Sequence, residues 1–283
     1  MSTQSKVWFV TGASKGLGLT LVKKLLSLGH SVAATSRNAD ELTKAVGDTP
    51  ANSFLALAMN LKSEDSVAEA VNKTIEKFNR IDVVVNNAGY GLLGALEELS
   101  EAEARDNFEV NVFGSLNVIR QVLPQLRKQQ SGHILNIASI GGFSGNYPGF
   151  GIYCATKFAV HGFTESLAAE VKEFGIHATV VSPGYFRTEF LTSGSMGTPQ
   201  NPIAEYTAVR QSQQFHEQDM NNNQAGDPEK ASDVMIEVAS SPNPPLHLFL
   251  GQDAYDVAYA KIEAVKTDLE NWKQQTISTG FTN

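Results

Sequence analysis

The sequence predicts an α/β fold: one domain over residues 1–283, with a doubly wound parallel sheet of about seven strands and helices on both faces. Three observations carry the prediction. Short apolar runs alternate with helix-spaced segments along most of the chain. A glycine-rich turn joins the first apolar run to the first helical pattern. The 283 residues, 42% of them hydrophobic, are enough for one large core.

Val7-Trp8-Phe9-Val10 is a continuous apolar run, the pattern of a strand buried on both faces. Leu17, Leu21, Leu25 and Leu28 then recur at helical spacing. The strand candidates are residues 6–11, 31–36, 53–58, 81–86, 133–138, 177–182 and 246–250. Helical patterns separate them, the longest at 107–129 and 151–174. Right-handed crossovers between parallel strands favour a Rossmann-type order, with the ligand crevice outside the carboxyl ends of the strands. The rhythm breaks at about residues 190–227, a polar stretch with Pro199, Pro202 and three consecutive asparagines, Asn221 to Asn223. It reads as a partly helical insertion that forms a substrate lid. Residues 253–283 read as a final amphipathic helix with a frayed end.

Twenty-two basic against thirty acidic residues give a net charge of −8 and a pI near 5.3. That disfavours nucleic acid or an anionic membrane as the main partner. Cys154 is the only cysteine, so no internal disulfide is expected and the reducing cytoplasm is the expected location. The first six residues are short and polar, with no sign of a signal peptide, and no apolar run approaches membrane-spanning length. No metal is expected.

The first turn reads Thr11-Gly12-Ala13-Ser14-Lys15-Gly16-Leu17-Gly18. Between a strand and a helix, glycines let the backbone approach a pyrophosphate, and the helix N-terminus supplies N–H groups and positive partial charge. Gly12 to Gly16 also fits Gly-x-Ser-x-Gly, the nucleophile elbow of serine hydrolases, with Ser14 as nucleophile and one of six histidines as base. An elbow normally follows several strands, whereas this turn follows the first. The second strand ends Thr35-Ser36-Arg37-Asn38, without the acid that holds a ribose 2′-hydroxyl in NAD-type sites. Asp40 and Glu41 come later and suit the start of the next helix. Arg37 would meet a 2′-phosphate with a planar, charge-assisted fork, and Lys15 could add a second cation. NADP(H) is therefore the expected cofactor.

Tyr153 and Lys157 lie four residues apart, which on a helix stacks them on one face. A free tyrosine has a pKa of about 10, and a nearby cation lowers it. The pair can then move a proton to or from an alcohol oxygen. Ser139 follows the apolar run 134–138 and so lies at a strand's carboxyl end, where it can hydrogen-bond the same oxygen.

These residues resemble the short-chain dehydrogenase/reductase family, and the resemblance covers nearly the whole chain. The family's Thr-Gly-x-x-x-Gly-x-Gly motif falls on residues 11–18 and its Asn-Asn-Ala-Gly motif on Asn86 to Gly89. Its catalytic Asn, Ser, Tyr and Lys fall on Asn111, Ser139, Tyr153 and Lys157, and its Pro-Gly pair on Pro183 and Gly184, with Thr188 downstream. One departure is Asn60, which stands where the family usually has Asp beside the adenine.

The resemblance implies a reversible reduction of a ketone or aldehyde to an alcohol, with Tyr153 as general acid and base. It implies Gly12, Ser14, Lys15, Gly16, Leu17 and Gly18 around the phosphates, and Arg37, Asn60 and Leu61 near the adenosine. Asn87, Ala88 and Gly89 would flank its ribose. Lys157 would bond the nicotinamide ribose and Thr188 the carboxamide, with Tyr153, Pro183, Gly184 and Phe186 also binding the cofactor. Asn111 would hold a water linking Lys157 to solvent. Candidates for the substrate wall are Tyr90, Phe143, Asn146, Tyr147, Phe150, Tyr185, Phe186, Phe190 and Met196, which suit a bulky or apolar carbonyl compound. Members assemble as homodimers or homotetramers through two long helices, and 107–129 and 151–174 are long enough for that. A cofactor-sensing protein without turnover is the alternative. The complete set of Asn111, Ser139, Tyr153 and Lys157 argues against it.

Overall fold

The computed structural model describes residues 5–50 and 52–281; the polar start at 1–4 and the last two residues of the expected tail lie outside the described residues. Along the chain the strands are β1 (Val7–Val10), β2 (Ser31–Ser36), β3 (Phe54–Ala58), β4 (Val83–Asn86), β5 (Gly91–Leu92), β6 (Gly132–Ile137), β7 (Ile176–Pro183), β8 (Met196–Gly197) and β9 (His247–Leu250). The helices are α1 (Gly16–Ser27), α2 (Ala39–Val46), α3 (Glu64–Phe78), α4 (Glu101–Phe108), α5 (Gly114–Gln129), α6 (Gly151–Val171), α7 (Thr207–Gln214), α8 (Pro228–Ser240), α9 (Gln252–Asn271) and α10 (Lys273–Ile277). Seven strands form one parallel sheet in the order β3-β2-β1-β4-β6-β7-β9. These are the seven expected strands, each boundary within two residues of the expected one.

The parallel sheet is buried because helices cover both faces. On one face Leu21 and Leu25 of α1, Leu42 of α2 and Met235 of α8 pack against Trp8, Val10 and Val32. On the other, Val71 of α3, Val122 and Leu126 of α5 and Leu167 of α6 pack against Phe9, Val84 and Ile134. Strand side chains alternate between these two cores, so every position of β1 and β4 is buried. The strand order reverses between β1 and β4, which opens a crevice at the carboxyl ends of the strands.

Two helical boundaries differ from expectation. The pattern at 107–129 begins earlier, at α4, where Ser100 and Glu103 form a reciprocal capping box. It is then interrupted by a π-helical turn at Glu109–Phe113 before α5 resumes. The wide turn carries Asn111, whose amide bonds the backbone of Tyr90. The pattern at 151–174 ends as α-helix at Val171, tightens into a 3₁₀ turn at Lys172–Phe174, and stops at Gly175, whose φ is 67°.

The polar stretch around 190–227 contains β8, α7 and a π-helical turn at Phe215–Met220. β8 pairs with β5, which ties the stretch to the end of β4. Glu98, buried just before α4, bonds the backbone N–H of Ile203 at 2.7 Å and the guanidinium of Arg210 at 2.7 and 2.8 Å. The tail is helical as expected but breaks at Trp272, between α9 and α10. Among the described residues no helix is long and apolar enough to cross a membrane.

Candidate functional site

A cleft of about 1140 Å³ runs along the carboxyl edge of the sheet, from Arg37 at the end of β2 to Phe190 and Met196 beyond β7. Its floor at one end is the glycine turn. Thr11 Oγ1 accepts from the N–H groups of Asn87 and Ala88, each at 3.0 Å. Asn87 Nδ2 donates back to the carbonyls of Thr11 and Gly12 at 2.9 and 3.0 Å. The turn after β1 and the Asn-Asn-Ala-Gly stretch after β4 are thus laced into one surface. Gly12 has φ 65°, and a Cβ there would lie 2.6 Å from Ala88 Cα. A side chain is excluded by both backbone conformation and space. Gly18 lies outside the cleft lining; a Cβ there would run into the Asn87 amide, so it packs α1 against the turn.

No side chain caps α1, and no acid lies in its first turn. By contrast, side chains of Asn38, Ser63, Ser100 and Asp227 cap α2, α3, α4 and α8. The amino end of α1 therefore turns free N–H groups and positive partial charge toward the cleft, where Ser14, Gly16 and Leu17 line it. This donor set and the glycine cradle fit a diphosphate. Lys15 also lines the cleft, with Nζ donating to the Gly194 carbonyl at 2.8 Å.

Arg37 is exposed at the cleft's end and makes no ion pair among the described residues. Asp40 and Glu41 lie in the first turn of α2, where their N–H groups donate to Asn38 Oδ1 at 3.0 and 3.2 Å, and neither lines the cleft. Asn60 and Leu61 line the same end. The Asn60 carbonyl oxygen already accepts from the Lys62 N–H at 3.1 Å, which leaves one lone pair for another donor.

At the middle of the cleft Ser139, Tyr153 and Lys157 come together. Ser139 begins the turn after β6, with Oγ accepting from the Gly141 N–H at 3.1 Å, and its hydroxyl is also bonded to the Tyr153 phenol. Tyr153 and Lys157 share one face of α6, the ammonium 5.8 Å from the ring centre. Lys157 Nζ donates to the Ile137 carbonyl at 2.9 Å. Asn111 stands just behind the cleft lining. Its Nδ2 donates to the Tyr90 carbonyl at 3.0 Å and to Thr156 Oγ1 at 3.1 Å, and its Oδ1 accepts from the Tyr90 N–H at 3.0 Å. A Cβ on Gly89 would meet Asn111 Oδ1 at 3.0 Å and Lys157 Nζ at 3.5 Å, so the three groups adjoin.

The electrostatics correct one expectation. In net, the chain's own surroundings raise the Tyr153 pKa. Burial pushes it above the ordinary tyrosine range, opposed by the Ser139 hydrogen bond. Burial also lowers Lys157 to about 8. An amine with that pKa is still charged at neutral pH but loses its charge before a buried phenol would ionise on its own, so its help to the phenolate is confined to below about pH 8. Burial likewise holds the neighbouring Cys154 thiol protonated, pushed up to about 11.

The far end of the cleft is aromatic. Tyr90, Tyr147, Phe150, Tyr185, Phe186, Phe190 and Met196 line it, as expected. Phe143 and Asn146 do not. Phe143 packs edge-on against Phe249, 5.2 Å between ring centres, in a small core with Ala254 and Ala258, and Asn146 is exposed. Pro183, Gly184 and Thr188 line the cleft between the aromatics and the glycine turn.

Sequence reasoning missed four side chains here. Thr11 and Thr156 hold the turn and Asn111. Asp253 accepts from the Tyr185 N–H at 2.7 Å. His216, from the π-helical turn, donates through Nδ1 to the Ser212 carbonyl at 2.6 Å, so its Nε2 accepts from the Tyr185 hydroxyl at 2.9 Å. Thr11 had a signal, the family motif itself; the others have partners too distant in sequence for any spacing rule. Among the described residues no hydrogen bond joins Ser14 to a histidine, so the hydrolase alternative has no base. One group of potential metal ligands, His161, Glu165 and His247, lies outside the cleft lining, and His161 Nε2 is already engaged by Ser182 Oγ at 2.9 Å.

Residues 6–196 match the family model described as short chain dehydrogenase. The chain is 36% identical over 276 residues to "Oxidoreductase BOA17" of Botryotinia fuckeliana, covering 97% of this chain and 99% of that one. A short-chain dehydrogenase of Streptomyces avermitilis, 34% identical, superposes with a TM-score of 0.89 over 98% of this chain and 100% of its own. An alcohol dehydrogenase of Thermococcus sibiricus, solved with 5-hydroxy-NADP, is 25% identical with a TM-score of 0.68 over 87% of this chain and 96% of its own. The match runs along nearly the whole length, and the chain belongs to the short-chain dehydrogenase family of oxidoreductases.

Proposed function

We propose that the protein is an NADPH-dependent oxidoreductase that reduces a ketone or aldehyde to an alcohol, reversibly. The observation that carries this is the meeting of Ser139, Tyr153 and Lys157 in one cleft that continues into the glycine cradle. The solved alcohol dehydrogenase relative, with its bound NADP analogue, supports the same cofactor and reaction class. Unpaired Arg37, with no acid facing it, favours a 2′-phosphate over a bare ribose hydroxyl.

When bound, the dinucleotide supplies or accepts the hydride. The proton work falls to the chain. Ser139 hydrogen-bonds the substrate oxygen and holds it beside Tyr153. Tyr153 keeps its proton at neutral pH because burial raises its pKa, so it is poised as the acid that carbonyl reduction needs. In the reverse direction it is the base. Lys157 is charged below about pH 8 and then favours the phenolate formed on proton donation. Asn111, adjoining Lys157, orders a water that returns the proton to the site. Gly12, Ser14, Lys15, Gly16 and Leu17 hold the phosphates, with Gly18 supporting the turn. Asn60, Leu61, Asn87, Ala88 and Gly89 flank the adenosine. Pro183, Gly184, Phe186 and Thr188 hold the nicotinamide.

The stretch around 190–227 acts as the substrate lid, and the aromatic end admits a bulky, apolar carbonyl compound. Exposed Phe113 and Phe158, on the turn before α5 and on α6, suit a homodimer or homotetramer built on those helices. The sole cysteine suits the cytoplasm.

Tyr153→Phe tests the proposal. NADPH oxidation with a panel of ketones and aldehydes should fall by about 10²–10⁴-fold, while NADPH binding, read by fluorescence, stays within about twofold. Near-normal turnover in that variant would end the assignment of Tyr153 as the acid.

A further inference from the structure

Helix α9 leaves the body of the protein. Ala254 and Ala258 are buried against Ile140, Phe143 and Phe249, and every residue from Tyr259 to Phe281 is exposed. The free part of α9, 259–271, is about 20 Å long by helical rise. A free helix of that length is marginal in water. Its exposed face is nevertheless apolar. Tyr255, Tyr259, Ile262, Val265, Leu269 and Trp272 are 42–63% exposed. Five of them, with Ala258, recur at alternating spacings of three and four: 255, 258, 262, 265, 269 and 272. That is the seam of a two-helix coiled coil; Ala258 packs on the body where the helix leaves it, and from Ile262 onward the seam faces nothing within the chain.

The charges beside the seam select the occupant. Pairing two such helices antiparallel about a two-fold axis sets Ile262 against Val265 of the second copy, with Tyr255 and Trp272 meeting at each end of the contact and Leu269 packing beside Tyr255, since Ala258 is covered by the body. The flanking positions then bring Lys261 of each copy beside Asp268 of the other, twice by symmetry. Neither residue makes an ion pair within the chain among the described residues. On the opposite flank Tyr259 meets Lys266, so no like charges face each other. A parallel pair would instead set Lys261 against Lys266. Residues 252–273 hold five carboxylates and three lysines, which argues against an anionic lipid surface.

We propose that α9 pairs antiparallel with α9 of a second copy of this chain, through the seam Tyr255–Ile262–Leu269 and the reciprocal Lys261–Asp268 contacts. This surface is separate from the α5 and α6 faces and does not depend on the redox chemistry.

The test is light scattering coupled to gel filtration, with analytical ultracentrifugation for the dissociation constant. Ile262→Lys/Leu269→Lys should halve the mass of the wild-type assembly, with circular dichroism and melting of the body retained. Lys261→Asp and Asp268→Lys should each weaken self-association by about tenfold, since each places like charges together at two symmetric sites. Combining both swaps should restore it. A monomeric wild type, an unchanged mass in the Ile262/Leu269 variant, or a double swap no tighter than the singles would overturn the proposal. So would recovery of a monomeric wild type on phosphatidylserine vesicles.

Discussion

Removing the Glu98 carboxylate tests how the stretch over the cleft is held down. The Glu98 side chain is 0% exposed and Arg210 29% exposed. One Glu98 oxygen accepts from the Ile203 N–H, the other from the Ala95 N–H at 2.6 Å, and both accept from Arg210. Glu98→Ala deletes all of these bonds. It strands two backbone donors and a guanidinium whose Nε already has no partner. Breaking a fully buried ion pair from one side costs about 3–5 kcal/mol. Water reaches Arg210, so about 2–3 kcal/mol is the expected cost here. That corresponds to roughly 30- to 150-fold more frequent opening of the stretch. Sheet contacts are untouched, so the opening is local. Hydrogen exchange should accelerate in peptides covering 198–220 and stay unchanged in β1, β4 and β6. KM for a bulky carbonyl substrate should rise more than kcat falls. Uniform acceleration across the sheet, or none at 198–220, would refute the idea that Glu98 latches this stretch.

Three further changes probe the cofactor end and the buried amine. Arg37→Asp should weaken NADPH binding by at least about tenfold while leaving NADH nearly unaffected, because it replaces a charge-assisted contact with repulsion of the 2′-phosphate; equal loss for both would sink the assignment. Gly12→Ala combines a left-handed φ of 65° with a Cβ 2.6 Å from Ala88 Cα, whereas Gly47→Ala has φ 85° and nothing within 4 Å. The first should cost about 2–4 kcal/mol in urea melts and the second about 1–2, and similar costs would deny the close approach at the turn. Lys157→Met should raise stability at pH 7. Burial lowers the folded-state pKa to about 8 from 10.5, so below pH 8 the folded chain carries the full charging penalty, on the order of 3 kcal/mol. Between pH 8 and 10.5 the unfolded chain alone binds the proton, and stability rises with pH. The variant's advantage, less the lost Ile137 hydrogen bond, should shrink across that window; a constant gap would contradict the linkage.

The sheet was legible because parallel strands announce themselves as unbroken apolar runs, and 31–36 coincided with β2 end to end. The face shared by Tyr153 and Lys157 follows from helical geometry alone. What escaped was set by contacts between distant segments. Glu98 and Arg210 are 112 positions apart, and Tyr185 and His216 are 31 apart. Phe143 was misjudged for a related reason. An aromatic beside a site can face the cleft or the core, and only the partner, Phe249 on β9, decides. The direction of the Tyr153 pKa was misjudged because helical spacing brings the ammonium near but says nothing of how deeply both groups are buried.

That burial bears on which direction of the reaction the protein itself favours. A phenol raised above its ordinary range stays neutral at pH 7, while an amine lowered to about 8 is still mostly charged there. A neutral phenol is the reagent for protonating a forming alkoxide, so on the proposed mechanism Tyr153 is ready as the reductive direction's acid at neutral pH. The oxidative direction needs the phenolate, and the chain's own help with that is the Ser139 hydrogen bond and the charged fraction of Lys157. Both adjoin Tyr153, so the fold offers one geometry for two directions but unequal starting states. The asymmetry arises from the same packing of α6 against β6 and β7 that holds Tyr153 and Lys157 at the strand ends.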